Sequence, residues 1–382
     1  MKIPLSNPDI SAREIKAVTD VLKTPNLSLG PKLSEFEEKF AGYIGIKYAI
    51  AVNSGTSALH LCVKALGIKD GDEVITTPFS FIASANCMLF ERAKPVFVDI
   101  REDNFNIDET KIEKAITKRT KAILPVHIFG YPCAMDKITK IAKKYKLAVI
   151  EDACEAVGAK YLPAGRQSKW QCVGSLGDCG VFAFYPNKQM TTGEGGMIVT
   201  NNNKIASICR SLRNQGRDQG MAWLAHTRLG YNYRLSDINC ALGVAQLARI
   251  QEILKKRMKV SEMYNEKLRV IEDIILPAHN TAEIERSYFV YVIQLREYFS
   301  QGQRDNIIAG LEKSGIACNK YFPAIHFQPF YKKTFGYKKG DYPVTEKISG
   351  LTIALPFFNN LSGKEVRFIA GKLKQIISEV KK

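Results

Sequence analysis

Apolar blocks and their spacing set out the elements of the chain. Apolar positions recur at helical spacing over residues 11–23 and 33–43, which predicts two helices. The run YAIAVNSGTSALHLCVKAL reads as strand, turn and helix. VITTPFSF reads as a strand end and a loop, followed by a helix from about Ile82. PVFVDI and AILPVHIFG read as strands, 136–145 as a helix, and LAVIED, VFAFY and MIVTN as three more strands. Strands alternating with helices predict an α/β fold, with a mostly parallel central sheet flanked by helices. In such sheets ligands bind beyond the carboxyl ends of the strands. From about residue 250 the pattern changes. FVYVIQL is a strand and 362–381 an amphipathic helix, so the expected division is a large domain over 1–250 and a smaller α/β domain over 251–382.

Composition narrows the class. The chain has 382 residues, 46% of them hydrophobic and 24% charged, ordinary for a globular protein. No apolar run approaches the ~20 residues that span a bilayer, and MKIPLSNPDI lacks the apolar core of a signal peptide. Nine cysteines, with no C-x-x-C pair, favour reduced thiols over disulfides or a metal site. A cytoplasmic protein with no membrane partner is expected. The net charge of +17 raises nucleic acid as a partner. The basic residues, however, are spread along helices such as 136–145 and 251–260, with no basic tract interleaved with aromatics. A solvated basic surface is expected, with no nucleic-acid partner.

Candidate chemistry centres on FAFYPNKQMTTGEGGM, residues 182–197. Lys188 follows the apolar-aromatic run Val181–Tyr185 and precedes a glycine cluster, Gly193, Gly195 and Gly196. Burial of a lysine favours the neutral amine, the form that makes a Schiff base with an aldehyde. Pyridoxal phosphate (PLP) is the usual aldehyde. The alternative is one surface lysine among 55 basic residues. In SGTSAL (54–59), Gly55 permits a tight turn and Thr56 and Ser57 stand at a helix N-terminus, suited to phosphate or simply to capping. Asp152 ends LAVIED and could hold a pyridinium nitrogen protonated, or cap the next helix. Phe81 could stack on a planar ring or fill core. His127 could line the same pocket or be structural.

In this order these features resemble the fold type I (aspartate-aminotransferase) PLP enzymes. More closely, the chain resembles the DegT/StrS-type nucleotide-sugar aminotransferases. Matching motifs run through LSLGPKLSEFEEKFA, VNSGTSALHL, GDEVITTPFSFIASAN, PVHIFGYP, VIEDACEAVGAKY, GDCGVFAFYPNKQMTTGEGGM, LGYNYRLSDINCALGVAQL and LPFFNNLS. The resemblance implies that Lys188 is covalent anchor and acid–base catalyst, that Asp152 pairs with the pyridinium nitrogen, and that Phe81 stacks on the ring. Gly55, Thr56 and Ser57 would hold the phosphate. Asn232, in GYNYRLSD, would reach the phosphate of the neighbouring subunit's cofactor, so a homodimer with shared active sites is implied. L-glutamate is the implied donor, and the acceptor a nucleotide-linked keto-sugar, foremost a 4-keto-6-deoxyhexose. Substrate contacts are expected from the N-terminal segment 1–30 through Ser28 in LSLG, and from Arg213 in RNQG, Arg234 and His326. Arg234 has the alternative of an ion pair with Asp237, and His326 that of a structural histidine among aromatics. No metal is expected.

Three departures from the family pattern stand out. Glu155 occupies a position near the ring's phenolic oxygen where many relatives have Gln or His. Ala183 stands where many have a phosphate-binding Ser, which implies weaker cofactor retention. The segment 160–178, with Pro163, Gly165, Arg166, Lys169 and Trp170, is longer than the family's usual hairpin and is expected to be an exposed loop. Other functions on the same scaffold are a sugar dehydratase, in which the lysine is replaced, and a non-catalytic regulatory protein. The retained Lys188 argues against both.

Overall fold

The computed structural model describes residues 2–165, 169–218, 220, 222 and 225–381. Seven strands form the central sheet: β1 (Tyr48–Val52), β2 (Glu73–Thr76), β3 (Lys94–Phe97), β4 (Thr120–Ile123), β5 (Ala148–Asp152), β8 (Cys179–Ala183) and β9 (Gly196–Thr200). Two short strands, β6 (Lys160–Tyr161) and β7 (Gln171–Cys172), intervene in sequence and lie apart from it. The spatial order is β1-β9-β8-β5-β4-β2-β3. Only β9 runs against its neighbours, pairing antiparallel with both β1 and β8. The other pairings are parallel.

Each strand is buried on both faces, as a sheet clad by helices requires. In β1, Ile50 and Val52 face one core while Ala49 and Ala51 face the other. The first core takes in Val74, Ile150, Val181 and Ile198 and the helix Gly55–Ala65. The second takes in Ile75, Val149, Phe182 and Met197 and the helix Pro31–Ile44. Phe40 packs edge-on against both Phe182 and Phe184. Truncating a side chain so enclosed costs about 3–5 kcal/mol.

In the C-terminal part a second sheet of order β10-β12-β13 is built from β10 (Ile274–Ile275), β12 (Tyr291–Leu295) and β13 (Thr352–Leu355). Its alternation bridges two cores. Val292 and Ala354 join the first core of the large sheet, while Tyr291, Ile293 and Leu355 join a third core with the helix Gly363–Lys381. The N-terminal segment is sewn onto this part: Ile3 pairs with Ile316, and Phe357 N donates to Leu5 O. Asp9 binds Arg249 at 2.7 Å and Lys256 at 3.0 Å and accepts from Asn359.

Segment 160–178 departs from expectation. It is not an open loop: β6 and β7 pair antiparallel, and β11 (Ile284–Glu285) adds to β6. Trp170 is exposed. Arg166 lies outside the described residues. Among the described residues no helix is long and apolar enough to cross a membrane.

Candidate active site

A cavity of about 490 Å³ opens at the carboxyl ends of the parallel strands, within the range of ligand pockets. Because β9 is reversed, its entry rather than its exit reaches this rim, and Glu194 and Gly195 join the wall. Lys188, Asp152, Glu155, Gly55, Thr56 and Phe81 all line the cavity. These residues are scattered over more than 130 positions of sequence, and the strand ends gather them.

One end of the cavity is a helix N-terminus. Ser54 caps the helix Gly55–Ala65, its hydroxyl accepting from Ser57 N at 3.1 Å. Ser57 Oγ donates onward to Asn53 at 2.7 Å. Ser57 is buried in this capping and does not line the cavity, whereas Ser54, Gly55 and Thr56 do. The helix rests directly on the end of β8. A Cβ on Gly55 would meet Ala183 Cβ at 2.8 Å and Cys154 Sγ at 3.1 Å, so only glycine permits this approach.

Asp152 is buried on the wall, and its oxygens are fixed by two donors. Cys154 N donates to Oδ1 at 3.1 Å and Ser84 Oγ to Oδ2 at 2.7 Å. Ser80 and Ser84, one helical turn apart, are 2.8 Å from each other. Since Ser84 spends its proton on Asp152, Ser80 is the donor of that pair. The two serines stand in PFSFIASAN, where the turn-spaced hydroxyls were a signal that sequence reading missed.

Lys188 lies five residues past the end of β8. The strand stops at Ala183, short of the run to Tyr185 read from sequence, because Phe184 turns to bond Gly195 O and Thr192 N. The Lys188 side chain is 13% exposed. Its Nζ is 3.7 Å from Glu155 Oε1 and 3.9 Å from the centre of the Phe289 ring. Burial pushes the Glu155 carboxyl up, partly offset by Lys188 and by the Phe129 N–H, which donates at 2.9 Å. Phe81 is 60% exposed at the mouth, so it is not core. Phe289, Tyr321 and Phe322 complete the wall from the C-terminal part.

Several expected site residues stand elsewhere. Arg213 is buried, ion-paired with Glu37 of the helix Pro31–Ile44 and donating to Ala51 O of β1, so it ties the helix Asn203–Arg213 to both. It has no part in the cavity. His326 is fully buried, 3.3 Å from Glu346 and packed against Phe327 and Tyr342. Burial favours its neutral ring, against the pull of Glu346. His127 is also buried. Its Nδ1 accepts from Cys133 N, so Nε2 carries the proton given to Glu151 at 3.0 Å. Arg234 donates to Asn214 at 3.0 Å, while Asp237 instead caps the helix Pro31–Ile44 by accepting from Gly30 N and Lys32 N. Ser28 is exposed and bridged to Ser236. Asn232 is exposed, outside its own chain's cavity, between Tyr231 and Tyr233, whose rings stack 4.9 Å apart. Among the described residues no group of three or more His, Cys, Asp or Glu is placed to hold a metal ion.

A helix N-terminus, an anchored carboxylate and a lysine facing one cavity define an enzyme site for a phosphorylated aldehyde cofactor. The chain belongs to the DegT/DnrJ/EryC1/StrS aminotransferase family, whose sequence model matches residues 8–374. MJ1066 of Methanocaldococcus jannaschii is 41% identical over 99% of this chain and 98% of its own. GDP-perosamine synthase of Caulobacter vibrioides is 38% identical over 98% of both chains. The PLP form of Spr1654 from Streptococcus pneumoniae superposes with a TM-score of 0.93, at 29% identity over 100% of both chains. The protein is an aminotransferase of this family, whose cofactor is pyridoxal 5′-phosphate. The residues present fit that group. The Gly55 cradle and helix N-terminus suit its phosphate, Asp152 suits a protonated ring nitrogen, and Lys188 supplies the amine.

Proposed function

We propose that this aminotransferase moves an amino group from L-glutamate to a nucleotide-linked keto-sugar, a 4-keto-6-deoxyhexose, for surface polysaccharide or amino-sugar biosynthesis. The observation that carries this reading is the meeting of Lys188, Asp152 and the Gly55–Thr56 helix start in one cavity, in a chain similar along its length to sugar aminotransferases. PLP, when bound, supplies an aldehyde that takes up an amine and a ring that draws off the electrons of the C–H bond to be broken.

The chain's residues divide the remaining work. The helix N-terminus, with Gly55 and Thr56, holds the phosphate, and Ser57 braces the turn. Asp152 keeps a proton on the ring nitrogen, its Oδ2 aimed by Ser84. Phe81 covers one face of the ring. Lys188 Nζ would take the proton from the donor's α-carbon and deliver it to a second carbon two bonds away, so one amine serves as base and then acid. Glu155 stands beside that amine as a polar neighbour. The diphosphate part of the sugar nucleotide suits the basic surface, and Arg234 and Ser28 remain its suggested contacts.

The exposed Asn232, turned from its own cavity, supports a homodimer in which it reaches the partner's phosphate. Nine free cysteines support a cytoplasmic setting. The expected division at about residue 250 gives a large cofactor-binding domain and a small domain closing over it. The test is a panel of keto-sugar nucleotides incubated with glutamate and the purified protein, read by mass spectrometry. Mass gain matching amine-for-ketone exchange, with 2-oxoglutarate formed, is expected. No exchange with any keto-sugar, while a non-sugar keto acid is aminated, would overturn the sugar assignment.

A further inference from the structure

Phe289 meets the Lys188 amine through the face of its ring. The nitrogen is 3.9 Å from the ring centre, nearer than the 6 Å limit for a cation–π contact. Phe289 is 2% exposed and stands on the cavity wall. Its position is fixed from behind. Arg257, buried and bonded to no carboxylate among the described residues, donates to Tyr288 O at 2.7 Å and to Phe289 O at 2.6 Å. Ser287 is held by Gln189 and by Val157 O. Gln189 is the neighbour of Lys188 in sequence, so the lysine and the ring share one scaffold. Tyr321 stacks beside the ring, its plane tilted by 23°.

An aromatic face attracts an ammonium through its quadrupole and has little hold on a neutral amine. Glu155 forms an ion pair with the amine at 3.7 Å, longer than a hydrogen bond and so a loose tether. The ring face, at 3.9 Å, is the second support of the charged amine, and it imposes no fixed bond.

We propose that Phe289 is a positioning residue for the reaction, the platform that supports the Lys188 amine while it carries the proton it transfers. The inference rests on Lys188 being the cofactor lysine. During turnover the amine is freed neutral as the donor takes its place, takes one proton from the donor's α-carbon and gives it up at a second carbon two bonds away. The Phe289 face holds the ammonium between those two transfers and yields it without breaking a hydrogen bond.

The test uses the full-length chain freed of cofactor with hydroxylamine. A brief pulse of formaldehyde and a borane reductant methylates neutral amines, and peptide mass spectrometry compares Lys188 with exposed Lys338. Replacing Phe289 with pentafluorophenylalanine keeps the ring's shape and reverses its quadrupole. That substitution, and Phe289→Leu, should each raise Lys188 labelling at neutral pH about tenfold, while Phe289→Tyr stays near wild type. Wild-type labelling in the fluorinated variant would overturn the proposal, even if Phe289→Leu labels faster, because that pattern reports access and not the ring face. Borohydride reduction of the cofactor-loaded wild type separately tests the underlying reading. If no cofactor mass appears on the Lys188 peptide, that reading fails whatever the labelling series gives.

Discussion

Ser84 Oγ donates to Asp152 Oδ2 at 2.7 Å, joining residues 68 positions apart in sequence. The serine opens the helix Ala83–Leu89 and the aspartate ends β5. The bond aims a buried carboxylate, so it belongs to the stronger charged class of hydrogen bond. Ser84→Ala should weaken cofactor binding about tenfold, as loss of a bond to a charged group predicts. Equilibrium dialysis against PLP measures this, and an unchanged affinity would detach Ser84 from the site.

Lys188→Ala should abolish both the visible absorbance of the bound cofactor and turnover. The spectrum of the purified variant, with and without glutamate, decides it. Turnover retained by the variant would contradict the assigned role.

Ala183 leaves the phosphate end of the cavity without a hydroxyl at the close of β8. Its Cβ lies against the Gly55 backbone, so Ala183→Ser would place a donor beside the helix start. Cofactor should be held several-fold more tightly, the equivalent of about 1 kcal/mol for one added hydrogen bond. Equal retention in a dialysis titration would show that the helix and its cap already satisfy the phosphate.

Asp9 governs acid sensitivity at the N-terminal seam. Burial alone would raise its pKa, but Arg249, Asn359 and Lys256 outweigh burial and bring it from 3.8 to about 2. A carboxyl depressed in the folded state contributes stability above its unfolded pKa and loses it as pH falls toward the folded value. The window is therefore about pH 4 down to 2. Asp9→Asn should lower the apparent melting temperature by roughly 2–3 °C at pH 6, from about 2 kcal/mol of lost linkage. The gap between variant and wild type should close as the pH approaches 2. A gap that is constant with pH would assign the effect to packing.

The residues legible in sequence were those that end an apolar run. Asp152, Gly55 and Phe81 each follow a strand, and strand ends converge by the rules of a parallel sheet. Lys188 was legible for the same reason, although its strand closes earlier than the aromatic run suggested. Arg213 misled because its partner is remote: Glu37 lies 176 positions away, and no local pattern pairs them. His326 stands among aromatics near in sequence, as its alternative reading had it. Phe289, Tyr321 and Phe322 went unseen for the opposite reason. They look like core residues, and only the packing of the second sheet on the first turns them toward the cavity. The hairpin in 160–178 depended on β11, more than a hundred residues on.

The reversed strand β9 has a consequence for motion. A parallel neighbour would leave the rim by a long crossover, free to sway. Here the chain leaves the sheet at Ala183 and re-enters at Gly196 on the adjacent strand, and Phe184 closes the neck with bonds to Gly195 and Thr192. Lys188 thus rides on a short tether pinned at both ends. The freedom this leaves to its amine is rotation of its own methylene stem, and not the swing of a loop.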